Sequence, residues 1–132
     1  MAEHDPNAPH HIDRTALDEA VTFTSDLIRI DTTNRGQGDG RERQAAEYVA
    51  ERLTEAGLDP ILLEKAHERT NVVARIEGTD PSADAVLVHG HLDVVPADAS
   101  EWSVHPFSGE IRDGVVWGRG AVDMKDADAM VL

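Results

Sequence analysis

The spacing of apolar residues changes character at Gly57, and this change constrains the fold more than any other feature of the chain. Before it, Leu17, Val21, Thr24 and Leu27/Ile28 recur at three- and four-residue intervals, as do Ala45, Val49 and Leu53. A stripe of that period lies on one face of an α-helix. The spacing predicts a first helix from a Thr15/Asp18 capping box to Ile30, and a second over about 41–56 that stops at Gly57. Between them, residues 31–40 contain Asn34, Gly36, Gly38 and Gly40 and read as a loop. Beyond Gly57 the apolar residues gather in short runs bounded by turn formers, at 60–63 and 71–76. Residues 85–88 are apolar without alternation, which predicts a strand covered on both faces. Residues 110–117 predict a hairpin turning at Asp113-Gly114. Gly118-Arg119-Gly120 ends it, and helical character resumes at Asp123. Two helices followed by a mixed sheet with a hairpin make an α/β fold. Residues 13–132 are expected to form one domain, preceded by a disordered tail over residues 1–12, which contain Pro6 and Pro9 and show no period.

Twelve Lys and Arg stand against 26 Asp and Glu, a net charge of −14. That balance argues against nucleic acid and anionic membrane as partners, because both are bound through basic surfaces. No apolar run approaches the roughly 18 residues that span a bilayer. The absence of cysteine excludes thiolate ligands and fits a cytoplasmic location. Any metal must therefore be held by His and carboxylates.

Those residue types converge at the end of the apolar run 85–88, in His89-Gly90-His91-Leu92-Asp93. Ligands of open α/β sheets collect at the carboxyl ends of strands. On an extended backbone His91 and Asp93 point to the same side, and an imidazole beside a carboxylate suits a borderline ion such as Zn²⁺. Gly90 leaves room for close approach. The same residues also suit a hydrogen-bonded His at a strand end beside a turn-forming Asp. Asp123, after the glycine-punctuated turn, can be aimed at the neighbouring strand end and bridge two ions; it also suits a helix N-cap. Trp102, Pro106 and Phe107 read as an apolar cover in preference to substrate contacts, and Arg119 as a support of the turn or a partner of a carboxylate in preference to a substrate-binding residue. His67, His105, His10 and His11 read as surface residues, the last two as an adventitious metal-binding pair.

Four motifs occur in order: Val88-His-Gly-His-Leu-Asp-Val-Val-Pro96, then Trp102 with Pro106-Phe107-Ser-Gly, then Ile111-Arg-Asp-Gly, then Gly118-Arg-Gly-Ala-Val-Asp-Met-Lys125. Together they resemble the M20 metallopeptidases, the group of acetylornithine deacetylase, succinyl-diaminopimelate desuccinylase, aminoacylase and carboxypeptidase G. The resemblance is dense over 86–132 and looser, but in order, from Ala16. It implies a di-zinc amidohydrolase (two Zn²⁺ per complete site, with Co²⁺ as a substitute) acting on N-acyl amino acids or dipeptides. It implies that His91 is a terminal ligand of one zinc, that Asp123 bridges both, and that Asp93 is the catalytic-site carboxylate that orients His91. It gives His89 no metal role and implies a cis bond after Asp123. Asp126 departs from the family's Gly after the Met-Lys pair.

The resemblance further implies a Glu-Glu pair beyond the bridging Asp, the first Glu being the general base that activates water. It implies an additional acidic ligand, a distant His and an inserted domain through which the family forms homodimers. None of these occurs among the 132 residues. The chain is thus expected to be the N-terminal part of the catalytic domain, truncated, and inactive by itself. A non-catalytic truncated product or binding module is the alternative. The metallo-β-lactamase superfamily also uses HxHxD but continues directly with a second His, where this sequence has Val94.

Overall fold

The structure, a computed structural model, describes residues 13–36 and 38–132; the tail expected over 1–12 lies outside them. Helix α1 spans Arg14–Arg29. Asp13, not the expected Thr15, caps it: the Asp13 carboxylate accepts the Thr15 N–H at 2.9 Å. Asp13 is the last residue with extended dihedrals, φ −63° and ψ 125°, and a cap must lie just outside the helix to reach the free N–H groups within it. The helix buries Thr24, Ser25, Leu27 and Ile28, whereas Leu17 and Val21 remain 50% and 40% exposed. The expected stripe is therefore buried only in its second half, where β4 and α3 meet the helix.

Helix α2, Arg43–Glu55, buries Ala45, Ala46 and Val49. It ends at the predicted glycine, with Gly57 donating to the Thr54 carbonyl at 2.9 Å and Leu58 to the Leu53 carbonyl at 3.0 Å. It packs on a hairpin of β1, Ile61–Ala66, and β2, Arg69–Val73, paired antiparallel with Ile61 opposite Val73. The apolar runs at 60–63 and 71–76 locate these strands, but β2 ends at Val73, short of the expected Ile76. The ladder instead extends toward the turn, with Glu64 opposite Thr70, Ala66 opposite Arg69 and a bulge at Lys65. Glu64 and Lys65 tolerate the strand because β1 is exposed along its whole length, whereas Thr70 is buried and its hydroxyl donates to the Glu64 carboxylate at 2.9 Å. The second hairpin, β3 (Glu110–Arg112) and β4 (Val115–Trp117), turns as predicted at Asp113-Gly114. Both turn residues have positive φ, 54° and 76°, the geometry that matches the twist of the flanking strands. Helix α3 spans Lys125–Val131 and packs on α1.

The α/β composition matches the sequence reading, but the strands form two separate two-stranded sheets. Between Thr33 and Val94 there is one isolated parallel bridge. The buried strand expected at 85–88 does not form: no ladder includes these residues, and Val86 and Leu87 are 87% and 85% exposed. A strand covered on both faces needs lateral partners and two covering layers. Here β1–β2 and β3–β4 pair only with each other, so nothing among the described residues supplies them. The core centres on Leu27, Ala45 and Val49, with Ile30, Tyr48, Leu53, Val72 and Leu92 packed around it. No helix among the described residues is long and apolar enough to cross a membrane.

Candidate metal centre

The loop after α1 pins the segment that carries His91 and Asp93. The Thr32 hydroxyl donates to the Leu92 carbonyl at 2.6 Å, and Val94 donates to the Thr32 carbonyl at 3.1 Å. Asn34 donates its N–H to the Val94 carbonyl at 2.9 Å. Its side-chain amide also donates to Asp93 Oδ2 at 2.8 Å, while its own Oδ1 accepts the Gly36 N–H. Asn34 is thereby fixed at three points and holds the Asp93 carboxylate in turn. Sequence reasoning placed Asn34 in a loop and gave it no role; only the non-local bridge to Val94 brings it to the site.

His91 Nδ1 lies 3.0 Å from the Asp93 carbonyl oxygen and 3.3 Å from Asp93 Oδ1. A carbonyl can only accept, so Nδ1 carries the proton and Nε2 is left for another partner. That partner is Asp123 Oδ1, 3.1 Å away. In the neutral imidazole the Nε2 lone pair and a carboxylate oxygen would face each other, so the pair calls for a positive charge between them. A proton on Nε2 supplies it: burial lowers the affinity of His91 for a proton, but the Asp93 carbonyl and the Asp123 carboxylate outweigh burial and raise the pKa above its ordinary value. A cation supplies it equally well. Two donors on one tetrahedral zinc at roughly 2.0–2.1 Å stand about 3.3 Å apart, close to the separation found here. Imidazole nitrogen and carboxylate oxygen are both zinc donors, so the residues present fit the ion. They supply two ligands, since among the described residues no group of three or more His, Cys, Asp or Glu gathers around one point.

Asp123 reaches this position through the turn before it and the helix after it. Gly120 has φ 86°, and a Cβ there would stand 2.7 Å from a Val94 methyl. The Asp123–Met124 bond is cis. Two residues on, the Lys125 side chain is fully buried, and its Nζ donates to the carbonyls of Leu27 and Ile30 at 2.7 and 2.9 Å. Burial pushes its pKa down to about 8, against the opposing pull of Asp31 and Asp128. Lys125 thus ties the segment bearing Asp123 to the end of α1. The sequence signal that could have found it is the scarcity of lysine, the other being Lys65.

Gly90 sits against α3. A methyl group at this position would collide with the Asp128 carboxylate, so the glycine answers a helix contact as well as any ligand. Burial pushes the Asp128 carboxyl up to about 6, with His91 and Lys125 opposing, and its Oδ2 is buried without a hydrogen-bond partner. Gly90→Ala is expected to cost about 1–3 kcal/mol of stability through overpacking. In an Asp128→Ala background the cost should fall below half of that. Urea unfolding of the four chains measures the coupling, and equal costs in both backgrounds would refute the contact.

His91, Asp93, Asp123, Asn34, Trp102 and Arg119 line one cavity of about 450 Å³. Trp102 is therefore part of the cavity wall and not only the expected apolar cover, whereas Pro106 is buried as cover and Phe107 half-buried. Arg119 donates its backbone N–H to the Pro106 carbonyl at 2.6 Å, in keeping with support of the turn. No carboxylate among the described residues pairs with it. His89, His67 and His105 are exposed, and His10 and His11 lie outside the described residues. At the position where the resemblance predicts Gly, Asp126 keeps one buried carboxylate oxygen without a partner.

Residues 87–132 match the family model described as Peptidase family M20/M25/M40. The chain is 45% identical over 96 residues to succinyl-diaminopimelate desuccinylase of Methylorubrum populi, covering 69% of this chain and 24% of that protein. It is 36% identical over 129 residues to the desuccinylase of Methylobacterium radiotolerans, covering 95% and 30%. It is 27% identical over 120 residues to N-fatty-acyl-amino acid synthase/hydrolase of Mus musculus, covering 91% and 24%. The chain spans 24–30% of the length of these relatives.

Proposed function

Because the chain belongs to peptidase family M20/M25/M40, we propose that it forms the first part of the metal centre in a zinc-dependent hydrolase of amide bonds in N-acyl amino acids or dipeptides. The observation that carries this reading is the convergence of His91 Nε2 and Asp123 Oδ1 on one point, with the other face of the imidazole fixed by Asp93. In this reading His91 and Asp123 hold metal, and Asp93 orients His91 and keeps its proton on Nδ1. Asn34 keeps Asp93 in place, and Lys125 anchors the segment that delivers Asp123. Zinc bound there would supply polarisation of the scissile carbonyl and acidification of water near neutral pH. The desuccinylase and acyl-amino-acid hydrolase names of the relatives support small acylated amino acids as the substrate class.

A catalytic zinc is held by at least three protein ligands with one open position, and the described residues supply two. With zinc and N-succinyl or N-acetyl amino acids, the 132-residue chain is expected to give no turnover in an assay of released amine. Turnover that disappears in Asp93→Ala or Asp123→Ala would overturn the division of ligands. The hydrolase reading itself is tested in a protein of the relatives' length that contains this segment. There, His91→Ala and Asp123→Ala should each abolish zinc-dependent amide hydrolysis, and retention of activity in either refutes the assignment.

A further inference from the structure

We propose that Arg119 is an anion-binding residue of this cavity and receives a carboxylate group of the substrate beside His91 and Asp123. The word substrate rests on the hydrolase reading above; the anion site itself does not. Among the described residues Arg29, Arg35, Arg41, Arg43, Arg52, Arg69, Arg75 and Arg112 each pair with an Asp or Glu. Arg119 pairs with none, in a chain where acids outnumber Lys and Arg by 26 to 12. Its guanidinium makes one long hydrogen bond, from Nη2 to the Pro96 carbonyl at 3.4 Å, and its Nε is shielded from solvent without a partner.

The guanidinium is nonetheless held. Its central carbon lies 5.2 Å from the centroid of the Trp102 ring, and its backbone is tied to Pro106. Stacking covers one face of the guanidinium and leaves its N–H edge for an in-plane partner. A carboxylate is the group whose two oxygens match that edge. Arg119 stands four residues before Asp123 in the chain and shares its cavity. A ligand that places one end at the His91–Asp123 pair can therefore place a carboxylate on Arg119. The negative balance of the chain works against indiscriminate anion binding, so a bound carboxylate here reports a local site.

The test uses the metal-free 132-residue chain titrated with succinate and with its neutral counterpart succinamide, following the Arg119 Nε–H and Trp102 indole N–H resonances by NMR. Succinate should shift both resonances saturably and succinamide neither. Arg119→Gln should weaken succinate binding by about tenfold or more, the range expected for loss of a charged hydrogen-bonded pair. Arg119→Lys, which keeps the charge without the planar fork, should weaken it several-fold. Absence of shifts in the unaltered chain, or unchanged succinate affinity in Arg119→Gln, overturns the proposal. Zinc titration of the same chains, read at His91, separates the two readings. Succinate binding without zinc binding leaves the anion site standing and counts against His91 and Asp123 as a metal pair in this chain; zinc binding without succinate binding overturns the anion site and leaves the metal pair standing.

Discussion

Replacing Lys125 by alanine is expected to cost the fold about 4 kcal/mol, and replacing it by methionine only about 1–2 kcal/mol. The two substitutions separate what the side chain contributes. Lys125 is fully buried and donates to the Leu27 and Ile30 carbonyls, at the end of α1, where carbonyls run short of helical donors and Leu27 otherwise accepts only the Ile30 N–H at 3.2 Å. Methionine keeps the length of the apolar stem but removes both donors. It also removes a buried ammonium whose desolvation is unfavourable, and these two effects partly offset. Alanine adds a cavity where the stem lay, a loss of roughly 2–5 kcal/mol for comparable deletions. Because a small domain is stable by only about 5–15 kcal/mol, Lys125→Ala should leave the fold close to its limit. Urea unfolding checks the order. Equal costs for the two variants would mean that packing of the stem contributes nothing.

The same residue sets a pH dependence. The ordinary Lys value is 10.5, and burial lowers that of Lys125 to about 8 in the folded chain. Between these values the unfolded chain holds a proton that the folded chain has released, so stability rises with pH across that window. Below about 8 both states are protonated, and the cost of the buried charge is fully present. A displacement of this size corresponds to roughly 3 kcal/mol. The stability of the unaltered chain relative to Lys125→Met should therefore increase as pH is raised from about 8 to about 10.5. A difference that stays constant with pH would show that Lys125 titrates normally.

The local parts of this fold were legible in the sequence because local chemistry decides them. Gly57 stops α2, and Asp113-Gly114 turns the second hairpin, each through dihedrals that few residues adopt. The first cap was misplaced by two residues because Asp13 and Thr15 are both good capping residues, and only the helix start distinguishes them. The run at 85–88 forms no strand because its apolarity reports the burial it is suited to, while a strand also needs neighbours that pair with it. At the proposed site, His91, Asp93 and Asp123 stand out through the motifs that carry the resemblance, residue type and spacing alone leaving a hydrogen-bonded His and a helix cap as alternatives. Asn34 and Lys125 do not stand out as site residues, and Arg119 does so only as a support of the turn or a partner of a carboxylate. Asn34 acts across a parallel bridge about sixty residues distant in the chain, Lys125 reaches back to α1, and Arg119 has no carboxylate partner among the described residues. These are relations between segments, which periodicity and motif spacing do not encode.

Replacing Asp123 by alanine is expected to weaken zinc binding by the chain more than about 100-fold, so that zinc no longer shifts the His91 ring resonances. In the proposed centre Asp123 contributes one of two donor atoms, and its loss would leave a lone imidazole. Asp93→Ala acts on the orientation and basicity of that imidazole and should weaken binding by about 10–100-fold, the range for groups that position a metal ligand. Asn34→Ala acts one step further away, through its 2.8 Å bond to Asp93, and should cost less than Asp93→Ala. The sequence-adjacent His10 and His11 offer a competing site, so the series belongs in a chain with both changed to Gln. NMR titration with zinc then reads His91 and His89 separately. The order Asp123, Asp93, Asn34 follows from the chain of contacts alone: ligand, holder of the ligand, holder of the holder. Asp93→Ala matching Asp123→Ala would make Asp93 a direct ligand. Shifts that persist at His91 in Asp123→Ala would place the metal on other donors and remove the bridging role.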